Sequence, residues 1–472
     1  MTLRLFNTLG RTLQEFTPIQ AGYVGMYACG PTVWNYAHIG NWRTYVFEDL
    51  LRRTLEYNGF NVRHIMNITD VGHLTDDADE GEDKIILSAR EKGKSVWEIA
   101  DFFTQAFFTD LKRLNILTPT VSCRATDHID DMIELIKRIE KNDCAYQAGG
   151  NVYFDTSRFP EYGKLALLDR QALKAGARIG VDGNKKNPAD FVLWFTKSKF
   201  EHQAMLWNSP WGRGYPGWHI ECSAMSMKYL GEHFDIHCGG IDHISVHHTN
   251  EIAQTEAATG KKWVNYWIHG EYLLIDKAKM AKSAGNFITL DTLQKNGFHP
   301  LDYRYFCLGG HYRSQLQFSF ESLESAKIAR DNLVERMKRL MEKTPPKKLK
   351  EISGKARLHL DAFKGHLWED LNLPRCLAEM WGVLKDPDIE ESEKLSLVLD
   401  MDRVLGLNLE EIPLNKEQVD EGVLELIRER ESARKNRDFK RADEIRNKLK
   451  ARNILIEDTP EGTRWKIRKK CV

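Results

Sequence analysis

The sequence predicts an α/β protein with a doubly wound parallel sheet, followed by a mainly α-helical C-terminal half. Strand and helix patterns alternate over roughly the first 310 residues, as in α/β architecture. A complete strand–helix–strand unit can be identified near the N-terminus. Beyond Phe318 the pattern is helical almost throughout. At 472 residues, two or three domains are expected.

The first strand–helix–strand unit is well marked. Tyr23–Cys29 is predicted to be a buried strand that ends at the Gly30-Pro31 turn. Apolar residues at helical spacing predict a helix over Asn41–Tyr57, stopped near Gly59. Phe60–Ile68 is predicted to be the next strand. The unit is typical of a Rossmann-like sheet, which binds ligands at the carboxyl ends of its strands.

The next elements continue the alternation with one interruption. Helices are predicted over Ser95–Leu114 and His128–Lys141. Short strands at Val152–Phe154 and Phe191–Trp194, among glycines and prolines, predict an inserted subdomain over 121–199. The main sheet is predicted to occupy 1–120 and 200–270. The alternation resumes in four segments: helix Trp218–Leu230, strand Phe234–His237, helix His247–Thr259 and strand Val264–Ile268.

The C-terminal half divides at a proline-containing linker, Thr344–Lys348. A helical bundle is predicted over 319–410 and a small basic domain over 411–472, with a small terminal strand or hairpin around Gly462 and Trp465. From Glu425 to Val472 there are 16 Lys/Arg against 9 Asp/Glu, although the whole chain has 68 of each and no net charge. This excess suggests a nucleic-acid contact, and a solvated amphipathic helix pair is the alternative.

Composition limits the location of the protein. No apolar run approaches the roughly 18 residues that a membrane-spanning helix needs. The N-terminus enters strand-like sequence at once, without the pattern of a signal peptide. We therefore expect a cytoplasmic protein with no membrane association.

Eight cysteines in a chain of this length do not predict a disulfide scaffold, and none of them forms a C-x-x-C pair. A metal site would have to combine distant residues. One such set is Cys29, Cys222, His247 and Glu251, in which the last two share a helix face at i, i+4. Two thiolates, an imidazole and a carboxylate suit zinc. The alternative is that both cysteines are ordinary core residues.

Two short motifs suggest phosphate chemistry. His38-Ile39-Gly40-Asn41 lies where the first helix begins, and a helix N-terminus favours anions. Gly40 would allow close approach of a nucleotide, and His38 and Asn41 can donate hydrogen bonds to phosphate. Lys279-Met280-Ala281-Lys282-Ser283 is typical of a triphosphate clamp. A structural histidine and an exposed basic loop are the respective alternatives.

Together, in this order and about 240 residues apart, the two motifs resemble the HIGH and KMSKS signatures of class I aminoacyl-tRNA synthetases. The closer resemblance is to cysteinyl-tRNA synthetases and runs from residue 3 to residue 467. The stretches that carry it are Met26–Val33, Asn67–Asp70, Gly217–Met225, His247–Gln254, Gly310–Leu316 and Ala433–Leu449.

The resemblance implies an ATP-dependent, AMP-forming ligase that joins L-cysteine to tRNA(Cys). It implies one zinc ion per chain on Cys29, Cys222, His247 and Glu251, and ATP accompanied by Mg²⁺. The cysteine pocket would include Thr69 and Trp218. Catalysis would use His38, Asn41, Lys279 and Lys282, with Gly40 and Lys282 binding ATP. Residues 271–318 would form the KMSKS-type loop and stem-contact region, 411–472 would bind the anticodon, and the enzyme would be a monomer.

Zinc is chemically reasonable for this substrate, because a thiolate binds it far better than the hydroxyl of serine does. Four protein ligands normally mark a closed site, so we expect Glu251 to be the more weakly bound ligand. Two residues depart from the signatures: Asn41 replaces the second histidine of HIGH, and Ala281 replaces the first serine of KMSKS. The acidic segment 70–83 is interpreted as a solvated loop.

Two alternatives to the ligase remain. A mycothiol-type cysteine ligase would use the same zinc chemistry on an amino sugar, but the long basic C-terminal half argues against it. A non-catalytic synthetase-like regulator is motivated by Asn41 and Ala281, and the retained ligand set and both lysines argue against that.

Overall fold

A computed structural model describes residues 2–71, 84–168, 183–197, 205–275, 287–413, 421–452, 454–459 and 462–467. Its centre is a five-stranded parallel sheet with the strand order β11-β10-β3-β4-β5. The strands are β3 (Tyr23–Ala28), β4 (Asn61–Ile68), β5 (Val121–Arg124), β10 (Phe234–Gly240) and β11 (Val264–Gly270). The strand order reverses between β3 and β10, so this is the switch point of a doubly wound sheet. The predicted fold class is confirmed.

An antiparallel pair, β1 (Arg4–Asn7) and β2 (Thr12–Glu15), precedes the sheet. The strand predicted as the first of the parallel sheet is therefore the third in the chain. Asn7 connects the pair to the sheet, since its Oδ1 accepts the backbone N–H of Trp267 in β11 at 3.0 Å.

Helices cover both faces of the sheet, and the predicted ones begin or end within two residues of their expected positions. They are α1 (Ile39–Tyr57), α2 (Lys84–Lys92), α3 (Val96–Arg113), α4 (Ile129–Lys141), α5 (Trp218–Leu230) and α6 (His247–Thr259). Helix α1 ends before Gly59, whose φ of 87° is the left-handed conformation that stops helices. The short α2 was not predicted.

The inserted region forms its own antiparallel sheet in the order β6-β7-β8-β9. Its strands are β6 (Ala145–Ala148), β7 (Asn151–Phe154), β8 (Phe191–Phe195) and β9 (Tyr215–Pro216). Two details differ from the predicted boundaries of 121–199. Strand β5 begins at Val121 yet pairs with β4 in the main sheet, and β9 pairs with β8 although it lies after residue 199. These boundaries depend on which distant strands pair with one another, and the local sequence pattern does not predict that pairing.

The chain then forms β12 (Leu273–Ile275) and β13 (Leu316–Phe318), which pair in parallel, and the helical half follows. Its helices are α7 (Leu290–Lys295), α8 (Pro300–Leu308), α9 (Phe320–Lys343), α10 (Gly354–Trp368), α11 (Leu373–Lys385) and α12 (Glu391–Leu405). One hydrophobic core is shared by α1 and these helices; it includes Leu51, Leu308, Leu333, Phe363 and Val404.

The basic tail is a helix pair, α13 (Glu421–Lys435) and α14 (Phe439–Ala451), followed by the hairpin β14 (Ile454–Thr459) and β15 (Gly462–Ile467). The sequence predicted a small terminal strand or hairpin here, and the structure has the hairpin. Val423, Ile427, Ile445, Leu449 and Ile454 form a separate small core. Among the described residues, no helix has the length and apolar character needed to cross a bilayer.

Candidate functional site

A cavity of about 430 Å³ opens at the switch point of the sheet, beyond the carboxyl ends of β3 and β10. Residues after β3, the first turn of α1 and the start of α5 contribute to its wall. Most of the predicted site residues line it: Cys29, His38, Gly40, Asn41, Thr69, Trp218, Cys222 and His247. Residues separated by more than 200 positions in the chain are thus brought to one place.

His38 and Asn41 build the start of α1 as a reciprocal cap. The backbone N–H of Asn41 donates to His38 Nδ1 at 3.2 Å, and the backbone N–H of His38 donates to Asn41 Oδ1 at 3.1 Å. Because Nδ1 accepts, the neutral ring carries its proton on Nε2. Partial burial lowers the pKa of His38, which favours this neutral form. The His38 ring is thus held by the backbone N–H of residue 41, while the Asn41 side chain holds the backbone N–H of His38.

Gly40 lies between these two residues on the cavity wall. A Cβ atom at this position would come within 2.9 Å of the His38 ring. The helix end consequently has no side chain here and presents its backbone to the cavity, a surface suited to anions.

The four candidate zinc ligands lie close together in the structure. One ligand atom from each of Cys29, Cys222, His247 and Glu251 lies within 4.8 Å of the others, and all four residues are buried. Cys29 directly follows β3, Cys222 lies on α5, and the remaining two lie one turn apart on α6. His247 Nε2 is 3.0 Å from Glu251 Oε1.

The chemistry of this cluster fits a divalent metal. Burial raises the pKa of the Cys29 thiol and of the Glu251 carboxyl well above their ordinary values, so their charged forms need a compensating cation. Glu251 Oε1 is buried, and although His247 Nε2 lies 3.0 Å away, no contact to this oxygen within the described part of the chain has the geometry of a hydrogen bond. Two sulfurs, one imidazole nitrogen and one carboxylate oxygen are zinc donors.

A second grouping shares two of these residues: Cys29 and Glu251 together with His237 and His248. Here the histidines bind to ligand side chains instead, since His237 Nε2 is 2.9 Å from Glu251 Oε2 and His248 Nε2 is 3.2 Å from Cys29 Sγ. Neither histidine lines the cavity. They therefore orient the ligands from behind, as outer partners of metal sites do.

Sequence reasoning missed His237 and His248. Both lie in otherwise ordinary core elements, His237 within the buried strand β10 and His248 beside His247 on α6. The one sequence signal was an ionisable residue inside an apolar strand.

Thr69 and Trp218 flank the four-residue cluster. The Trp218 ring lies 5.5 Å from that of His247. Thr69 is 1% exposed, and its Oγ1 is 3.0 Å from Glu221 Oε2, a buried carboxylate that the sequence did not single out. Glu221 directly precedes Cys222, so the metal candidates and the threonine are structurally connected.

The remaining predicted site residues, Lys279 and Lys282, lie outside the described residues, as does the altered Ala281. Most of the acidic segment 70–83 also lies outside them, beyond Asp70 and Val71.

Comparisons with known proteins agree with this arrangement. Residues 15–328 match the family profile described as the catalytic domain of class I (C) tRNA synthetases, and 416–465 match the cysteinyl-tRNA ligase anticodon binding domain. The chain is 55% identical to the cysteine–tRNA ligase of Treponema denticola, over 99% of this chain and 100% of that protein. It is 51% identical to cysteine–tRNA ligase 1 of Burkholderia lata, over 98% and 97% of the two chains.

Among solved structures, methionyl-tRNA synthetase of Mycobacterium tuberculosis in complex with methionyl-adenylate superposes with a TM-score of 0.55. That match has 15% sequence identity and covers 82% of this chain and 90% of the other, so it supports the fold alone. The two profiles and the full-length relatives go further, and by them the chain belongs to the cysteine–tRNA ligases, a family of class I aminoacyl-tRNA synthetases.

Proposed function

We propose that the protein activates L-cysteine with ATP and transfers the cysteinyl group to the 3′ end of tRNA(Cys), selecting the thiol through a zinc ion on Cys29, Cys222, His247 and Glu251. The observation that carries this is the shared cavity: three of these four ligand candidates line the same space as His38, Gly40 and Asn41. A purely structural zinc would have no reason to lie beside a phosphate-binding helix end.

When bound, zinc supplies a borderline-soft Lewis acid that favours a thiolate over a hydroxyl. An apolar pocket alone separates near-isosteric side chains by only about 10- to 200-fold. The contribution of the protein to this selection is to keep the four metal-binding side chains in place. His237 fixes Glu251, and His248 fixes Cys29. The Trp218 ring closes the space beside His247.

In the activation step, a carboxylate oxygen of cysteine attacks the α-phosphorus of ATP. The bond from that phosphorus to the bridging oxygen breaks, and pyrophosphate leaves. His38 Nε2–H and the free N–H groups at the start of α1 are placed to donate to phosphate oxygens. Lys279 and Lys282 are proposed to neutralise the charge on the departing pyrophosphate, and Mg²⁺ to accompany ATP.

In the transfer step, a ribose hydroxyl at the 3′ end of tRNA attacks the acyl carbon of the adenylate. The acyl–oxygen bond to AMP breaks, and the hydroxyl proton is released to phosphate or solvent. Positioning and electrostatics supply most of the rate in both steps. The basic C-terminal domain is proposed to bind the anticodon. A cytoplasmic location remains the expectation from composition, and a monomer remains the expected oligomeric state.

A cysteine ligase acting on an amino sugar and a non-catalytic regulator are the competing proposals. The match of 416–465 to an anticodon-binding domain favours an RNA acceptor over a sugar. The reciprocal cap of His38 and Asn41 keeps the helix end ordered despite the altered signature, which weakens the main motive for the regulator.

The test is cysteine-dependent exchange of labelled pyrophosphate into ATP, followed by charging of tRNA(Cys). Activity in both assays is expected, with serine inactive. Exchange without charging would favour the sugar ligase, and inactivity in both would favour the regulator.

Bound metal, measured by atomic absorption, should be one zinc per chain. On cobalt-substituted protein, cysteine should change the visible spectrum and serine should not, and a spectrum indifferent to cysteine would make the metal structural.

A further inference from the structure

A series of hydrogen bonds with fixed direction runs through the cavity wall beside the metal candidates. It starts at the backbone N–H of Gly30, which donates to Asn67 Oδ1 at 2.7 Å. Asn67 Nδ2 then donates to Thr69 Oγ1 at 3.0 Å, and Thr69 Oγ1 donates to Glu221 Oε2 at 3.0 Å. Asn67, Thr69 and Glu221 are each at most 2% exposed, so water does not compete with these bonds.

The direction of each bond follows from the one before. A backbone N–H can only donate, so Asn67 must present its oxygen to Gly30 and its NH₂ group to Thr69. The Thr69 oxygen therefore accepts a hydrogen bond from Asn67, and the Thr69 hydroxyl donates its own hydrogen bond to the carboxylate of Glu221. A hydroxyl oxygen has two acceptor lone pairs. Within the described residues Thr69 has no further side-chain partner, which leaves one lone pair on a side chain that lines the cavity.

The start of the series depends on a glycine. An added Cβ at Gly30 would lie 1.8 Å from the backbone oxygen of Asn67. A side chain at position 30 would push the two segments apart and break the first bond. The turn after β3 therefore fixes the orientation of the Asn67 amide.

We propose that Glu221 is a positioning residue for amino-acid recognition: by accepting the hydrogen bond of the Thr69 hydroxyl, it leaves Thr69 as an acceptor for the α-ammonium group of cysteine. This inference rests on the proposed function, because it assumes a free amino acid in the cavity. An ammonium group only donates hydrogen bonds, so it matches the remaining lone pair of Thr69. A carboxylate only accepts and does not match it.

The negative charge of Glu221 also favours binding of the ammonium group beside Thr69. Its carboxylate lies one bond beyond Thr69 and favours a cation over an anion at the adjoining part of the cavity. Thiol, ammonium and carboxylate of the substrate would then each have one place: the metal candidates, Thr69, and the side facing the phosphate-binding helix end. Without Glu221, the Thr69 hydroxyl could turn its hydrogen into the cavity, where it could donate to the substrate carboxylate as well as accept from the ammonium group.

The first test is Glu221→Gln, which keeps the shape but offers Thr69 an amide. We expect the KM for cysteine in pyrophosphate exchange to rise roughly 10- to 100-fold, the scale of a hydrogen bond to a charged group. The KM for ATP and the zinc content should not change. Thr69→Val should produce the same rise and Thr69→Ser should not. The double variant of Glu221→Gln and Thr69→Val should have a KM for cysteine no higher than that of the more affected single variant. The reason is that both changes remove the same interaction.

The second test uses 3-mercaptopropionate, which has the thiol and carboxylate of cysteine but no ammonium group. Its inhibition constant should be the same for wild type and Glu221→Gln. An equal loss of affinity for cysteine and this analogue would overturn the inference, since Glu221 would then act on the thiol side or on the fold.

The control is Asp235→Asn, a buried carboxylate at the opposite end of the sheet that accepts from the backbone of Ile19 and Gly25. It should lower the melting temperature and leave the KM for cysteine unchanged. A wild-type enzyme without cysteine-dependent exchange would contradict the proposed function itself. If the wild type is active but Glu221→Gln and Thr69→Val leave the KM for cysteine unchanged, only this inference is contradicted.

Discussion

At the scale of single residues, the two departures from the signatures have different consequences. Asn41 replaces a histidine and takes part in the cap that orients His38. Ala281 lies outside the described residues, between two lysines that are proposed to meet the pyrophosphate. A lysine charge is harder to replace than a hydroxyl, because it neutralises charge that develops in the transition state.

We therefore predict that Lys282→Ala slows cysteine-dependent pyrophosphate exchange roughly 100-fold or more, the scale of removing one interaction with the transition state. Ala281→Ser, the matched change in the same segment, should alter the rate little. Single-turnover measurements of adenylate formation would locate the effect in the chemical step. A nearly silent Lys282→Ala would mean that this segment is not a phosphate clamp.

The metal candidates give a second prediction at this scale. Replacing Cys222 by Ala removes one of two soft donors from a buried cluster, so metal and cysteine activation should be lost together. Zinc content and exchange activity should be measured on the same preparation. Cys123→Ala is the control, because this buried cysteine donates to the backbone of Met66 and belongs to neither metal grouping. Activation that survives complete loss of zinc in Cys222→Ala would contradict a role for the metal in substrate selection.

At the scale of elements, α1 is joined to the helical half by a buried ion pair. Arg304 on α8 is fully buried and donates to Asp49 Oδ2 on α1 at 2.6 Å and to the backbone oxygen of Leu405 at 2.7 Å. Asp49 also pairs with Arg53 at 2.8 Å. Gly406 makes room for the guanidinium, since a Cβ there would lie 2.4 Å from Arg304 Nη2.

Asp49→Asn is predicted to destabilise the protein by about 3–5 kcal/mol, because it removes the carboxylate that two buried guanidinium groups contact directly. Asp402, another buried carboxylate near Arg304 and Arg53, would compensate only in part, since it makes no direct ion pair with either within the described residues. Arg304→Met should cost less, since Asp49 keeps Arg53 as its partner. Urea unfolding of both variants measures the difference. Equal or reversed losses would show that the backbone contacts of Arg304, not its charge, hold α8 in place.

Strand β4 contains a buried histidine that should make the fold sensitive to acid. Burial lowers the pKa of His64 to about 3, and neither ring nitrogen has a hydrogen-bond partner in the described part of the chain. Between pH 6.5 and about 3, the unfolded chain binds a proton here that the folded chain does not. Stability is therefore full above pH 6.5 and falls with decreasing pH, by at most about 1.4 kcal/mol per pH unit.

His64→Leu removes this proton and should flatten the dependence of the unfolding free energy on pH over that range. Urea midpoints for wild type and variant between pH 7 and pH 4 measure it. Parallel curves would mean that His64 binds a proton equally in both states.

At the scale of the whole molecule, the alternation of strand and helix patterns was enough to predict the doubly wound sheet, and the unbroken helical pattern that follows was enough to predict the helical half. Segments with strong helical periodicity, such as α3 and α4, lie within one residue of their predicted bounds because their apolar faces are complete within the segment. The partition of the insert was less predictable, since β5 and β9 are assigned to their sheets by pairing with distant strands.

The candidate site shows the same limit. The four ligands were inferred from residue types and a resemblance, and the structure brings them within 4.8 Å. His237, His248 and Glu221 could not be inferred, because their importance lies in which buried atoms they contact. Helical spacing predicts that two residues share a face, but it does not predict a hydrogen bond between different elements.

The last prediction concerns how the whole molecule recognises RNA. The basic excess of residues 425–472 is concentrated in α14 and in Arg468, Lys469 and Lys470, which follow the terminal hairpin. The small core of this tail is separate from the catalytic one. Lys440 and Arg446 are exposed and form no ion pair within the described residues, whereas Arg441 pairs with Glu429 at 2.6 Å and Glu444 at 3.5 Å. Cations without a partner are the ones that can replace counterions on an RNA backbone.

Removing residues 425–472 should therefore weaken tRNA charging and leave cysteine activation near normal. The sharper variant is the pair Lys440→Ala and Arg446→Ala, which should raise the KM for tRNA and make the fall of affinity with salt less steep. The logarithmic slope should decrease by about 0.7–0.9 for each RNA phosphate that the variant no longer neutralises. Arg441→Ala is the matched control and should leave the slope unchanged, because its charge is already neutralised. Affinities measured by filter binding between 50 and 200 mM salt, roughly the range over which counterion effects are large, give the slopes.

Equal slopes for the wild type, the double variant and Arg441→Ala would mean that Lys440 and Arg446 do not contact RNA phosphates. A parallel loss of charging and cysteine activation on deletion would mean that the tail only stabilises the fold.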